Sequence, residues 1–131
     1  PWGAFAFCCV SMGNPHAVCF LDGTGLDEFD VDAVGAFFES HPAFPEKTNV
    51  EFAVVGPHGI AMRVFERGCG ETLACGTGAC ATAVAACLTG RAGRETDVLL
   101  RGGTLHVAWA DDGHVMMTGP AAESFAGTVN V

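Results

Sequence analysis

Apolar positions along the chain fall into short runs broken by turn residues, and one longer run has no polar face at all. Ala4–Ser11 (AFAFCCVS) is a continuous apolar stretch of strand length, closed by the turn Met12-Gly-Asn-Pro-His16. Ala17–Leu21 reads as a second strand, ended by Asp22-Gly-Thr-Gly25. Leu26–Ser40 is helical in its later part, with Asp30 or Asp32 as N-cap and His41-Pro42 as the stop. Pro45–Thr48 is a loop, and Asn49–Val55 and Ile60–Glu66 form a hairpin through Gly56-Pro-His-Gly59. Alternation in the second of these strands puts Met62, Val64 and Glu66 on one face and Arg63, Phe65 and Arg67 on the other.

The stretch from Thr77 reads TGACATAVAACLTG, small and apolar all round, with Gly90 as its stop and Arg91 suited to the negative end of a helix. A helix without a polar face belongs inside a fold. Val98–Arg101 and Leu105–Trp109 then pair through Gly102-Gly103, and Asp111-Asp-Gly-His114 turns into Val115–Thr118. Beyond the break at Gly119-Pro120, a last strand is expected near Ser124–Val129. Six or seven strands around one buried central helix, with a shorter helix outside, define an α+β fold. Its sheet should be curved or barrel-like and mostly antiparallel. No repeat or linker divides residues 1–131, which read as one domain.

Composition narrows the function classes. Lys and Arg number 6 against 15 Asp and Glu, a net charge of −9. An acidic chain without a basic stripe argues against nucleic acid and against anionic membrane surfaces as partners. No apolar run reaches the roughly 18 residues that a membrane span needs. Half of the residues are apolar and only 16% are charged. The excess apolar content points to a face that meets another domain or subunit, a homodimer included. Seven cysteines, an odd number without a C-x-x-C pair, speak against a zinc site and fit a reduced, cytoplasmic protein. The opening at Pro1, without methionine and directly before an apolar segment, reads as a piece of a longer protein.

Candidate chemistry gathers before the apolar helix. Cys75 sits where that helix begins, and a helix N-terminus lowers a thiol's pKa and binds carboxylates. Its thiol should therefore be the fastest of the seven to alkylate. The plainer reading is a small buried hydrophobe, with Gly-Thr-Gly letting a helix start against a crowded sheet. Asn14, His16, Asn49 and the Glu66-Arg67 pair fall at strand ends or in turns. Singly they read as a turn dipeptide, a structural histidine, a strand start and a surface ion pair. Together they suit a zwitterionic, multiply charged small molecule. Guanidinium pairs with carboxylate, and amides donate and accept, while imidazole and carboxylate tune a thiol. No metal or organic cofactor is implied.

Ser11-Met-Gly-Asn-Pro-His16, Glu66-Arg-Gly-Cys-Gly-Glu-Thr72 and Ala74-Cys-Gly-Thr-Gly-Ala79 closely resemble the C-terminal half of diaminopimelate epimerases. The order and spacing extend to His41-Pro-x-Phe-Pro45, Thr48-Asn49 and Thr118-Gly-Pro120. The resemblance implies cofactor-independent proton transfer interconverting LL- and meso-diaminopimelate, on the route to lysine and peptidoglycan. By the resemblance, Cys75 is one of two catalytic acid/bases, and His16 and Glu66 modulate the thiols. Asn14, Asn49 and Arg67 hold the distal end of the substrate, and Gly76 and Thr77 its reacting carboxylate. The family has two similar halves, each with its own cysteine on a buried helix. This chain has one such block, so the missing N-terminal half is an implied partner and the chain alone is expected to be inactive. A proline or hydroxyproline racemase of the same fold is an alternative, as is a non-catalytic module that dimerises or binds amino acids. A thiol hydrolase using Cys75 and His16 is more distant, because no third orienting group is evident.

Overall fold

Residues 3–23 and 25–131 are described by the structure, a computed structural model. The elements follow as β1 (Phe7–Ser11), β2 (Pro15–Phe20), α1 (Val31–Glu39), β3 (Asn49–Gly56), β4 (Gly59–Glu66) and β5 (Gly70–Thr72). After these come α2 (Gly76–Leu88), β6 (Glu95–Leu100), β7 (Gly103–Trp109) and β8 (Val115–Thr118). All eight strands form one mixed sheet in the order β1-β2-β3-β4-β6-β7-β8, with β5 paired to β4 off this path. The β2–β3 and β4–β6 pairs are parallel and the other pairings are antiparallel.

The expected curved sheet around one buried helix is what the chain forms. α2 packs against β1, β2, β3, β4, β6, β7 and β8, so the sheet curls about it. Every residue from Gly78 to Ala86 is buried, as a helix of small apolar residues must be if strands close in from all sides. Its end is a Schellman motif. Gly90 takes φ +72°, its N–H donates to Cys87 O, and the Arg91 N–H donates to Ala86 O. The Arg91 guanidinium lies 4.8 Å from the centre of the Phe20 ring.

Alternation along the strands separates two cores. Val18, Ala53, Ile60, Met62 and Val64 face α2. Cys19, Val50 and Phe52 face the other way, against Leu26, Val31 and Val34 of the α1 layer. Asp30 caps α1, its Oδ1 accepting the Ala33 N–H at 3.0 Å. Gly35 lets α1 approach the sheet, since a Cβ there would stand 2.5 Å from Phe65 Cβ.

Two expectations about strands need correction. The short strand β5 was not foreseen. Its three residues are held by pairing with β4, and Glu71 within it accepts from Arg63 Nε at 2.7 Å and Nη2 at 2.8 Å. The strand expected near Ser124–Val129 does not form: residues 119–131 are irregular and exposed. An alternating pattern makes a strand only where an edge receives it, and none of the described strands pairs with that segment. Thr24 of the expected turn after β2 lies outside the described residues.

Candidate active site

The first turn of α2 is where β2, β3 and β4 bring their polar residues. Cys75 is the N-cap of α2, in extended conformation at φ −140° and ψ 110°. Its sulfur turns back over the helix and accepts the Gly78 N–H at 3.3 Å. The N–H groups of Gly76 and Thr77 occupy the first turn, where a helix has no carbonyl of its own to offer. Glycine at 78 keeps this space open, because a Cβ would stand 2.9 Å from Glu51 Oε1 and 3.2 Å from the Cys75 sulfur.

Thr77 joins the thiol to the sheet. Its Oγ1 lies 3.7 Å from Cys75 Sγ, 3.1 Å from His16 Nε2 and 3.2 Å from the donating Nδ2 of Asn14. His16 Nε2 is also 3.1 Å from Asn14 Oδ1. On its far side, His16 Nδ1 meets Glu51 Oε1 at 2.6 Å, with both side chains fully buried. Glu66 at the end of β4 accepts the Thr72 hydroxyl at 2.6 Å.

The remaining expected residues are placed nearby but engaged differently. Asn49 is buried and uses both ends of its amide on the backbone. Nδ2 donates to Pro15 O at 2.8 Å and Oδ1 accepts the Arg67 N–H at 2.9 Å. It therefore fixes β2, β3 and the turn after β4 relative to one another. Arg67 is exposed and donates from Nη1 to Glu46 O. The next N–H in that turn, of Gly68, is held by Glu39 Oε1 at 2.8 Å. Among the described residues no group of three or more His, Cys, Asp or Glu could hold a metal ion.

The thiol differs from its expected state. Cys75 is only 8% exposed, and burial raises its pKa above the ordinary thiol value. The hydrogen bonds from Gly78 and Thr77 oppose this, and the nearby Glu66 and Glu51 carboxylates add to it. Desolvation outweighs the helix end here. All seven cysteines are free, and Cys9 and Cys69 are the exposed ones.

Glu51 and Thr72 were missed in the sequence. Glu51 could have been found: in Asn49–Gly56 it sits at an α2-facing position two residues from Ala53, a charge in an apolar row. Thr72 had no such signal, since its contact with Glu66 depends on the β4–β5 pairing.

A mixed sheet curled about one buried helix places the chain in a known class of folds. It superimposes on a phenazine biosynthesis PhzC/PhzF protein from Clostridium difficile with a TM-score of 0.60 at 20% identity, covering 82% of this chain and 41% of that one. A PhzF-family protein from Enterococcus faecalis gives 0.55 at 21% identity, over 75% and 35% of the two chains. At that identity the likeness is one of fold. Sequence carries the assignment further, for residues 8–123 match the family model for diaminopimelate epimerase. Relatives named diaminopimelate epimerase from Leptospira biflexa and from Synechococcus sp. strain JA-3-3Ab are 51% and 57% identical, over 97% and 95% of this chain. The chain belongs to the diaminopimelate epimerase family. It spans about 45% of the length of each of these two relatives.

Proposed function

We propose that the chain is the C-terminal catalytic half, a single domain over residues 1–131, of a cofactor-independent epimerase. The enzyme interconverts LL- and meso-2,6-diaminopimelate in the cytoplasm, for lysine and peptidoglycan synthesis. The observation that carries this reading is the Cys75 sulfur at the mouth of α2, joined through Thr77 to Asn14 and His16. Inverting a carbon takes a base on one face and an acid on the other. Cys75 supplies one of the two thiols, and the segment of the relatives that this chain does not match supplies the second. With its pKa raised by burial, Cys75 rests as the thiol, the form that donates a proton. The substrate's α-carboxylate sits on the N–H groups of Gly76 and Thr77, where the partial positive charge of the helix end also eases the carbanionic transition state. His16 and Glu66 modulate the thiols. Asn14 and Arg67 face the distal amino-acid end, and Asn49 acts by holding the Arg67 turn. Exposed Leu73 and Met117, the latter beside Gly76, fit a face covered by that second half.

The test is a chimaera in which this chain replaces the matching segment of the Leptospira relative. Deuterium should enter at Cα of diaminopimelate in D₂O with the chimaera, not with proline as substrate, and not with the chain alone. Cys75→Ser should abolish the exchange. Exchange by the isolated chain, or by the Cys75→Ser chimaera, would refute the two-thiol reading.

A further inference from the structure

Glu51 has no part in the proton transfer just described, yet it is fully buried beside the machinery. Its Oε1 lies 2.6 Å from His16 Nδ1. Its Oε2 has no hydrogen-bond partner among the described residues. An ionised carboxylate in that state, left to itself, would be costly.

The hydrogen bonds around His16 fix where the protons are. Asn14 turns its amide nitrogen to Thr77 Oγ1, so its carbonyl oxygen faces His16 Nε2 and can only accept. Nε2 must therefore carry a hydrogen. Nδ1 and an ionised Oε1 would then be two acceptors 2.6 Å apart, which needs a second proton between them. The His16–Glu51 pair thus holds two protons and is neutral as a whole, in keeping with burial pushing the Glu51 carboxyl up. Thr77 Oγ1 receives an N–H from Asn14 and shares the His16 Nε2 hydrogen with Asn14 Oδ1, leaving its own hydrogen for the Cys75 sulfur at 3.7 Å.

We infer that Glu51 is a positioning residue for the Cys75 thiolate. By holding the second proton in the short contact between its Oε1 and His16 Nδ1, it leaves Nε2–H a standing donor towards Thr77, whose hydroxyl donates in turn to the sulfur. This counters the burial that disfavours the thiolate, the form Cys75 needs when it acts as base. The role in turnover rests on the proposed function, whereas the proton arrangement does not. Charge around the sulfur pulls the opposite way: Glu66 from β4 disfavours the thiolate, as does the Glu51 charge itself wherever the shared proton does not cancel it.

The sign of one substitution decides the matter. Iodoacetamide labelling of Cys75 in the 131-residue chain, read by peptide mass spectrometry across pH, reports thiolate content. With Glu51→Gln no carboxyl group holds the second proton at Nδ1, and labelling at a fixed pH below the midpoint should slow by up to about tenfold, one pH unit of midpoint. If Glu51 acts on the sulfur as a bare negative charge, the same change speeds labelling; that result, or no change, overturns the inference. In a His16→Gln background Glu51→Gln should have lost its slowing effect, and its persistence would also overturn it. Should Glu51→Gln fail to fold, ¹⁵N resonances of His16 in the unsubstituted chain decide instead: a hydrogen on Nε2 together with a proton shared at Nδ1 at neutral pH supports the inference, and a bare Nε2, or an Nδ1 without that proton, overturns it. Labelling needs no turnover, so failure here is distinguishable from failure of the substrate assignment.

Discussion

Gly78 is the residue on which the site's geometry turns, because it leaves room for the Glu51 carboxyl group and the Cys75 sulfur against the first turn of α2. A Cβ at 2.9 Å from one and 3.2 Å from the other must displace a group that is fully buried or held in a hydrogen bond. Gly78→Ala should therefore lower stability by about 1–3 kcal/mol, despite alanine's better helix propensity. Gly93→Ala, with nothing within 4 Å of the new Cβ, should be near neutral. Thermal denaturation of the two variants compares them directly. Thiol reactivity belongs to the same scale. Limited iodoacetamide should label exposed Cys69 ahead of Cys75, and Cys19 last, since burial carries the Cys19 pKa to about 11. Peptide mapping that found Cys75 labelled first would restore the accessible, acidified thiol that the sequence suggests. Its place at the helix start was legible from Cys-Gly-Thr-Gly. The turn of its sulfur back onto the Gly78 N–H was not, because a rotamer is chosen by three-dimensional neighbours.

Among the elements, β5 shows how a weak strand is kept in place by charge. Glu71 accepts two hydrogen bonds from Arg63 and lies 3.0 Å from Arg101 Nη1, while Arg63 Nη1 donates to the carbonyls of Leu26 and Phe29. One arginine thus ties β4, β5 and the segment before α1. The Arg63 guanidinium holds the Glu71 carboxyl below its ordinary value of 4.5. The unfolded chain therefore takes up that proton first as the medium is acidified. The pair's contribution is complete above the ordinary value and is lost as pH falls through the lowered one. Urea midpoints measured between about pH 6 and pH 3 should fall less steeply for Glu71→Gln than for the unsubstituted chain. The α1 cap, the hairpin at Gly56–Gly59 and the all-apolar helix were readable, since each is specified by adjacent residues. β5 and the missing last strand were not, because both depend on which edge is free to pair.

At the scale of the molecule, the greasy composition has a visible outcome. α2 absorbs much of the small apolar content, and Leu73, Met116, Met117 and Phe125 stay exposed. The fold class and the family blocks could be read from residue order alone. The His16–Glu51 contact could not, since it joins positions 35 apart through the parallel β2–β3 register, in which His16 sits opposite Asn49.

A rod clasped by strands drawn from residues 7 to 118 cannot be loosened at one edge without losing its seat. The backbone amides in the middle of α2 should accordingly trade hydrogen for deuterium only when the entire chain opens, at a rate that tracks global unfolding. Hydrogen exchange followed by NMR across a denaturant series checks this. Early, independent exchange in that segment would mean that the clasp works as separate pieces.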